Sequence, residues 1–258
     1  ICTISDNQAM ELGKVLFAPV GFHLGNYIKI IKLPNLVHSV GVSLGRVFVG
    51  VFLHLLACTY MAYFFTRQEM WARKFWYRLV VITMYFSAGL IPAYLNARML
   101  KLPNTFWIYV IPSMIGVYNM VLIKTSIEAV PAELEESAYL DGAGYFARLF
   151  RIILPLQKPI LATTGLFSAV SHWNDFFTTK LYITNTKLYT VQYVLHEMLA
   201  RANAAAADME GMDGVAAISS PKNLQYATTV IVMIPIMCVY PFIQRFYVKG
   251  VMIGAVKG

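Results

Sequence analysis

Residues 133–159 read ELEESAYLDGAGYFARLFRIILPLQKP, a polar, acid-led loop set between two long apolar runs. Pro131 opens a short helix, Glu133, Glu135 and Glu136 put carboxylates in its first turns, where the helix dipole favours negative charge, and Asp141-Gly142 closes it. A second short helix follows over residues 145–153. There Phe146, Leu149, Phe150 and Ile153 share one face, Arg148 and Arg151 point elsewhere, and Leu154-Pro155 stops the run. Two short helices at an angle make a knob.

Outward from this loop the chain is too apolar for a soluble domain. Of its 258 residues 58% are hydrophobic and only 13% charged, and mean hydropathy is +0.59. A hydrocarbon core of ~30 Å takes about 20 helical residues per crossing, and five runs approach that length: 47–65, 79–95, 106–123, 159–170 extended to 177, and 224–243. The fold class expected is an all-α, polytopic helical membrane protein. The first span extends back to about residue 36 and carries Gly41, Ser43, Gly45 and Gly50, small residues that permit close helix contact. Arg46 and His54 lie within it, and both read as structural, Arg46 snorkelling to the outer surface and His54 bonding a neighbouring helix. Pro92, Pro112, Pro235 and Pro241 should bend their spans.

The net charge of +8 forms no basic stripe or basic-aromatic platform, so nucleic acid is not a partner. Instead Arg67, Arg73, Lys74 and Arg78 crowd one short loop, and Lys124, Arg148, Arg151 and Lys158 bracket the knob, which places both loops in the cytoplasm by the positive-inside rule. Five spans ending inside would begin outside; residues 1–4 look like the tail of an apolar run, so a further span is expected to precede them. Cys2, Cys58 and Cys238 have no metal-like spacing and read as packing residues, and His196-Glu197 lacks the second histidine of a zinc site. No Gly-rich phosphate loop followed by Lys-Ser/Thr occurs, so ATP hydrolysis does not belong to this chain.

Glu136-Ser137-Ala138, then Gly142, then Ile152-Ile153-Leu154-Pro155 resembles the cytoplasmic coupling loop of ABC-transporter permeases, Glu-Ala-Ala, three residues, Gly, about nine residues, Ile-x-Leu-Pro. Ser137 replaces the first alanine, small for small. The Tyr139-Leu140-Asp141-Gly142-Ala143 continuation is similar to that of the carbohydrate-importing branch. The resemblance implies a type I importer transmembrane domain in a bacterial inner membrane, with Glu133, Glu136, Ser137, Ala138, Asp141, Gly142, Ala143 and Gly144 coupling it to an ATPase. It also implies one permease domain over 1–258, divided into an external loop at 5–35, the cytoplasmic coupling loop at 128–158, an external segment at 178–222 and a cytoplasmic tail at 246–258. The external segment holds an amphipathic helix, with Val191, Val194, Leu195, Met198, Leu199 and Ala202 at helical spacing.

Ser171-His172-Trp173-Asn174-Asp175-Phe176-Phe177 resembles the Trp-Asn-Asp/Glu-Phe element of carbohydrate permeases. A tryptophan face suits a sugar ring and the neighbouring amide and carboxylate suit its hydroxyls; an interfacial aromatic belt with a helix-end cap is the equal alternative. Trp173, Asn174, Asp175 and, within the third run, Asn119 are the expected substrate path. The tail, Tyr240-Pro241-Phe242 and residues 246–258, resembles the ending of the oligosaccharide branch. The implied partners are a homologous second permease, two ATPase subunits holding ATP and Mg, an extracytoplasmic binding protein, membrane lipid and an oligo- or polysaccharide cargo moved by alternating access. Alginate is the specific expectation, although the external charge is only mildly suited to a polyanion. The other reading is a polytopic membrane enzyme or secondary transporter, for which His54, Asn119, His172 and Asp175 are scattered candidates without a triad or ligand spacing.

Overall fold

The computed structural model describes residues 36–209 together with residues 229, 230, 233, 234 and 237. The expected loop at 5–35, the tail at 246–258, most of the run at 224–243, Cys2 and Cys238 lie outside the described residues. Among the described residues all regular structure is helical.

Helix α1, Leu36–Thr66, is 31 residues long and is built inside out. Val37, Leu44, Phe48, Phe52, Leu56, Tyr60 and Phe64 are exposed at near four-residue spacing, while Ser39, Ser43, Arg46, His54, Cys58 and Ala62 are buried on the opposite stripe. In water that arrangement would be unfavourable; in hydrocarbon the large apolar stripe meets lipid and the small and polar stripe finds bonds within the protein. By length and composition α1 is the one described helix able to cross a membrane alone, and up to three crossings result if each of two bent helix pairs counts as one.

The run at 79–95 is not one helix. Helix α2, Arg73–Thr83, and helix α3, Leu90–Met99, are separated by residues 84–89. Gly89 takes φ +87 at the break, a backbone conformation that interrupts helix. Pro92 lies in the first turn of α3, where no helical hydrogen bond is lost, so it starts a helix rather than bending one.

The run at 106–123 is bent, with the break at residues 114–116 after Pro112, which itself lies in the first turn of a 3₁₀ element. Two 3₁₀ turns, Phe106–Tyr109 and Ile111–Ser113, precede helix α4, Val117–Glu128, at 49°. Helix α5, Ala132–Leu140, follows, and then α6, Tyr145–Leu156, and α7, Lys158–Asn174, meet at 82°. Helices α8, Phe177–Tyr182, and α9, Val191–Met209, complete the described order.

Among the described residues the chain divides into two compact units, one holding those up to Leu44 together with those from Trp173 onward, the other holding Gly45–His172. In the first, Val191 N–H donates to Ser43 Oγ at 2.9 Å, His38 Nε2 lies 2.6 Å from Lys187 O, and the Phe176 and His196 rings stack at 4.3 Å. The amphipathic face of α9 thus has a partner in its own chain: Val191 and Leu195 are buried. In the second, Cys58, Ala62, Tyr63 and Phe65 of α1, Met120, Ile123 and Ile127 of α4, and Leu149 and Ile153 of α6 form one core.

Arg46 is buried in this second unit, its guanidinium 4.6 Å from the centre of the Tyr109 ring, instead of snorkelling outward. A cation facing an aromatic ring away from water recovers part of its lost hydration. The helix breaks are served in the same way. Gln157 at the α6–α7 bend is buried, donates from Nε2 to Ser126 O at 3.2 Å and accepts from Ser126 Oγ.

Candidate functional site

Helix α5 begins directly after Pro131 and closes on Asp141, as its residues predict. Its end is a Schellman motif: Ala143 N–H donates to Ala138 O at 2.9 Å and Gly142 N–H to Tyr139 O at 3.0 Å. This geometry needs a residue with positive φ between helix and exit, and Gly142 has φ +81. Ala138, Asp141, Gly142 and Ala143 are therefore one closing turn, and Gly144 leads into α6 in extended conformation.

The outer side of α5 is left uncovered. Glu133, Leu134, Glu136, Ser137, Tyr139 and Leu140 are exposed, Leu140 by 84%. Three carboxylates start the helix and they do not behave alike. Glu133 and Glu136 face outward, whereas Glu135 turns in, together with Ala138 three residues on.

Glu135 is gripped from three sides. Its carboxylate accepts both Nη groups of Arg67, the first residue beyond α1, with Arg67 Nη2 to Glu135 Oε2 at 2.8 Å. Tyr63 Oη donates to Oε1 at 2.9 Å, and Arg148 Nη1 stands 3.7 Å from the same oxygen. The rings of Tyr63 and Tyr145 lie 4.3 Å and 4.7 Å from the Arg67 and Arg148 guanidinium carbons. Partial burial pushes the Glu135 carboxyl up, but the hydrogen bonds from Arg67 and Tyr63 and the charges of Arg67 and Arg148 outweigh it and hold the group below the usual glutamate value.

Arg148 corrects the sequence reading of α6. It is buried, only 6% exposed, while Phe146 and Phe150 are open to the surroundings and Leu149 and Ile153 enter the core. The apolar stripe is wider than the surface that covers it, and the Glu135 carboxylate draws Arg148 inward. Nor does Pro155 stop the helix: α6 passes through a π turn at Leu149–Ile153 and ends at Leu156.

Of the expected substrate path, Trp173 and Asn174 end α7 and Asp175 follows it. Trp173 is buried, 6% exposed. Asn174 Oδ1 accepts from Gln192 Nε2 at 3.2 Å, and Asp175 Oδ1 accepts from Thr178 N–H at 3.1 Å, capping α8. Asn119 belongs to the other compact unit, half-buried in α4, with Nδ2 2.8 Å from His54 Nε2.

Residues 55–253 match the family described as "Binding-protein-dependent transport system inner membrane component". The chain is 37% identical over 240 residues to Protein LplC of Bacillus subtilis, covering 93% of this chain and 81% of that protein. The chain belongs to this family. The polygalacturonan/rhamnogalacturonan transport system permease protein YtcP of Bacillus subtilis is 33% identical, over 95% of this chain and 85% of that one. Among solved structures, a bacterial ABC transporter involved in the import of the acidic polysaccharide alginate matches with a TM-score of 0.86 at 26% identity, covering 95% of this chain and 87% of its own.

Family membership makes this chain a non-catalytic, multi-pass inner-membrane permease component of an ABC importer, binding no cofactor itself. It displaces the enzyme and secondary-transporter readings, and it bears out the resemblance to the carbohydrate-uptake branch. An ATPase, a second permease and a binding protein are implied by the family. The sequence reading of the site passed over Glu135 and Arg67. Their signal was faint: Glu135 shares a helix face with Ala138, and Arg67 stood among four basic residues of one loop.

Proposed function

We propose that this permease moves an oligosaccharide or polysaccharide inward across the membrane, and that residues 132–144 are the knob through which partner ATPases drive it. The observation that carries the reading is the two-sided build of this knob. Its outer side presents Leu134, Tyr139 and Leu140 to the surroundings beside Glu133 and Glu136, while its inner side is anchored through Glu135 to Arg67 and to Arg148 of α6, whose Leu149 and Ile153 enter the core. An exposed apolar patch with a charged rim is the ordinary chemistry of a protein interface.

ATP-driven closure of the ATPases would push the knob and tilt the spans, with the loaded binding protein supplying differential affinity for the outward-open state. A second, homologous permease completes the cavity. The saccharide class is supported by relatives whose names specify polygalacturonan/rhamnogalacturonan and arabinooligosaccharide transport, and an acidic polysaccharide such as alginate by the solved structure. Trp173, Asn174 and Asp175, at and just beyond the end of α7, are the side chains we assign to the route.

The test is purification of the tagged chain in mild detergent, identification of the proteins that accompany it, and ATPase assay with binding protein and candidate saccharides, alginate among them. Recovery of an ATPase and a second permease, with hydrolysis stimulated by one saccharide, is expected. Absence of saccharide stimulation across oligo- and polysaccharides would overturn the cargo assignment.

A further inference from the structure

We propose that Glu135 is the positioning residue that makes the knob and helix α1 move as one body, with Arg67 as its counterpart, so that ATP-driven displacement of α5 is delivered to a membrane-spanning helix. This rests on the reading of residues 132–144 as the ATPase-driven knob.

Helix α5 is short and carries no buried residue. Without a specific attachment, a push on Leu134, Tyr139 or Leu140 would be absorbed in the flanking turns at residues 129–131 and 141–144. The attachment that exists is a bidentate pair. Both oxygens of Glu135 accept from the two Nη groups of Arg67, a fork geometry that fixes direction as well as distance. Arg67 follows Thr66, the last residue of α1, and Arg67 Nη2 also donates to Thr66 Oγ1 at 3.0 Å, so the guanidinium is itself held to the helix end. Tyr63, one turn earlier in α1, donates to Glu135 Oε1.

Arg148 ties the same carboxylate to α6. Its side chain is 7% exposed and that of Glu135 18%, so the cluster lies largely out of water and is weakly screened. Glu135 therefore joins three elements: the driven helix α5, the crossing helix α1 and the core-embedded helix α6. Glu133 and Glu136, equally acidic and two or one residues away, are exposed, which separates positioning from docking within a single turn of helix.

The experiment uses the complete transporter with its ATPases in proteoliposomes, comparing wild type with Glu135→Gln, Glu135→Asp and Arg67→Gln. Three quantities are read: ATPase subunits retained, ATP hydrolysed and saccharide delivered. Glu135→Gln and Arg67→Gln are expected to retain the ATPases and hydrolysis while saccharide delivered per ATP falls about tenfold, because a largely buried pair broken on one side loses its geometry. Glu135→Asp, which keeps the charge, should recover part of the ratio, a result that loss of folding would not give.

Unchanged delivery per ATP in both Gln variants would overturn the proposal while leaving the knob assignment intact. Loss of ATPase subunits from Glu135→Gln alone would make Glu135 a docking residue and also overturn it. Failure of the knob assignment is seen separately, as uptake and ATPase retention unaffected by Gly142→Asp.

Discussion

His54 Nε2 lies 2.8 Å from Asn119 Nδ2, and His54 Nδ1 lies 3.2 Å from Ser113 O. A carbonyl only accepts, so in the neutral ring Nδ1 carries the proton and Nε2 accepts from the amide. The two bonds fall on opposite sides of the break at residues 114–116. One turn along α1, Cys58 Sγ donates to Gly116 O at 3.6 Å. Helix α1 thus adds hydrogen bonds to the carbonyls of Ser113 and Gly116 at this break, the second of which also accepts from Met120 N–H at 2.9 Å. A double-mutant cycle with His54→Leu and Asn119→Leu should give a coupling of about 0.5–1.5 kcal/mol in thermal or denaturant unfolding of the purified protein. Additive effects would mean the pair is incidental.

Gly50 faces the His172 ring. A Cβ there would stand 2.5 Å from His172 Nε2, whereas a Cβ on Gly41 would meet nothing within 4 Å. Gly50→Ala should therefore destabilise by roughly 1–3 kcal/mol through overpacking, and Gly41→Ala should be near neutral. Equal melting temperatures for the two variants would show that α1 and α7 do not pack this closely.

Gly142 has open space where a Cβ would go, yet φ +81. Gly142→Ala should cost about 1–2 kcal/mol through backbone conformation alone and leave uptake measurable. Gly142→Asp adds a charge to the exposed turn and should abolish uptake at a normal membrane level. Wild-type uptake by that variant would remove residues 132–144 from the coupling role.

Glu135 has a pKa lowered from its ordinary 4.5. A carboxylate held below its unfolded value contributes stability that is fully present above that value and is lost as pH falls through the folded one. The knob should loosen on acidification below about pH 4.5, seen as faster protease cleavage at residues 129–145. In Glu135→Gln the cleavage should be faster at neutral pH and this acid step reduced; an undiminished step would assign it to another carboxylate.

The helix stop at Asp141-Gly142 and the span of α1 were legible because each follows from a local rule: a glycine free to take positive φ, an apolar run of sufficient length. The break at residues 84–89 was not, since an uncharged run fixes hydropathy but not helical continuity. Residue order alone was enough to show a helical membrane protein of the permease family, because composition and a closely spaced motif survive any folding. Packing between separate segments is what turns one of three neighbouring glutamates inward, buries Arg148 and sets His54 against a broken span. Glu135 and His54 meet partners 59 to 68 residues away in sequence and Arg148 one 13 residues away, and no local periodicity encodes where a partner's charge or carbonyl will stand.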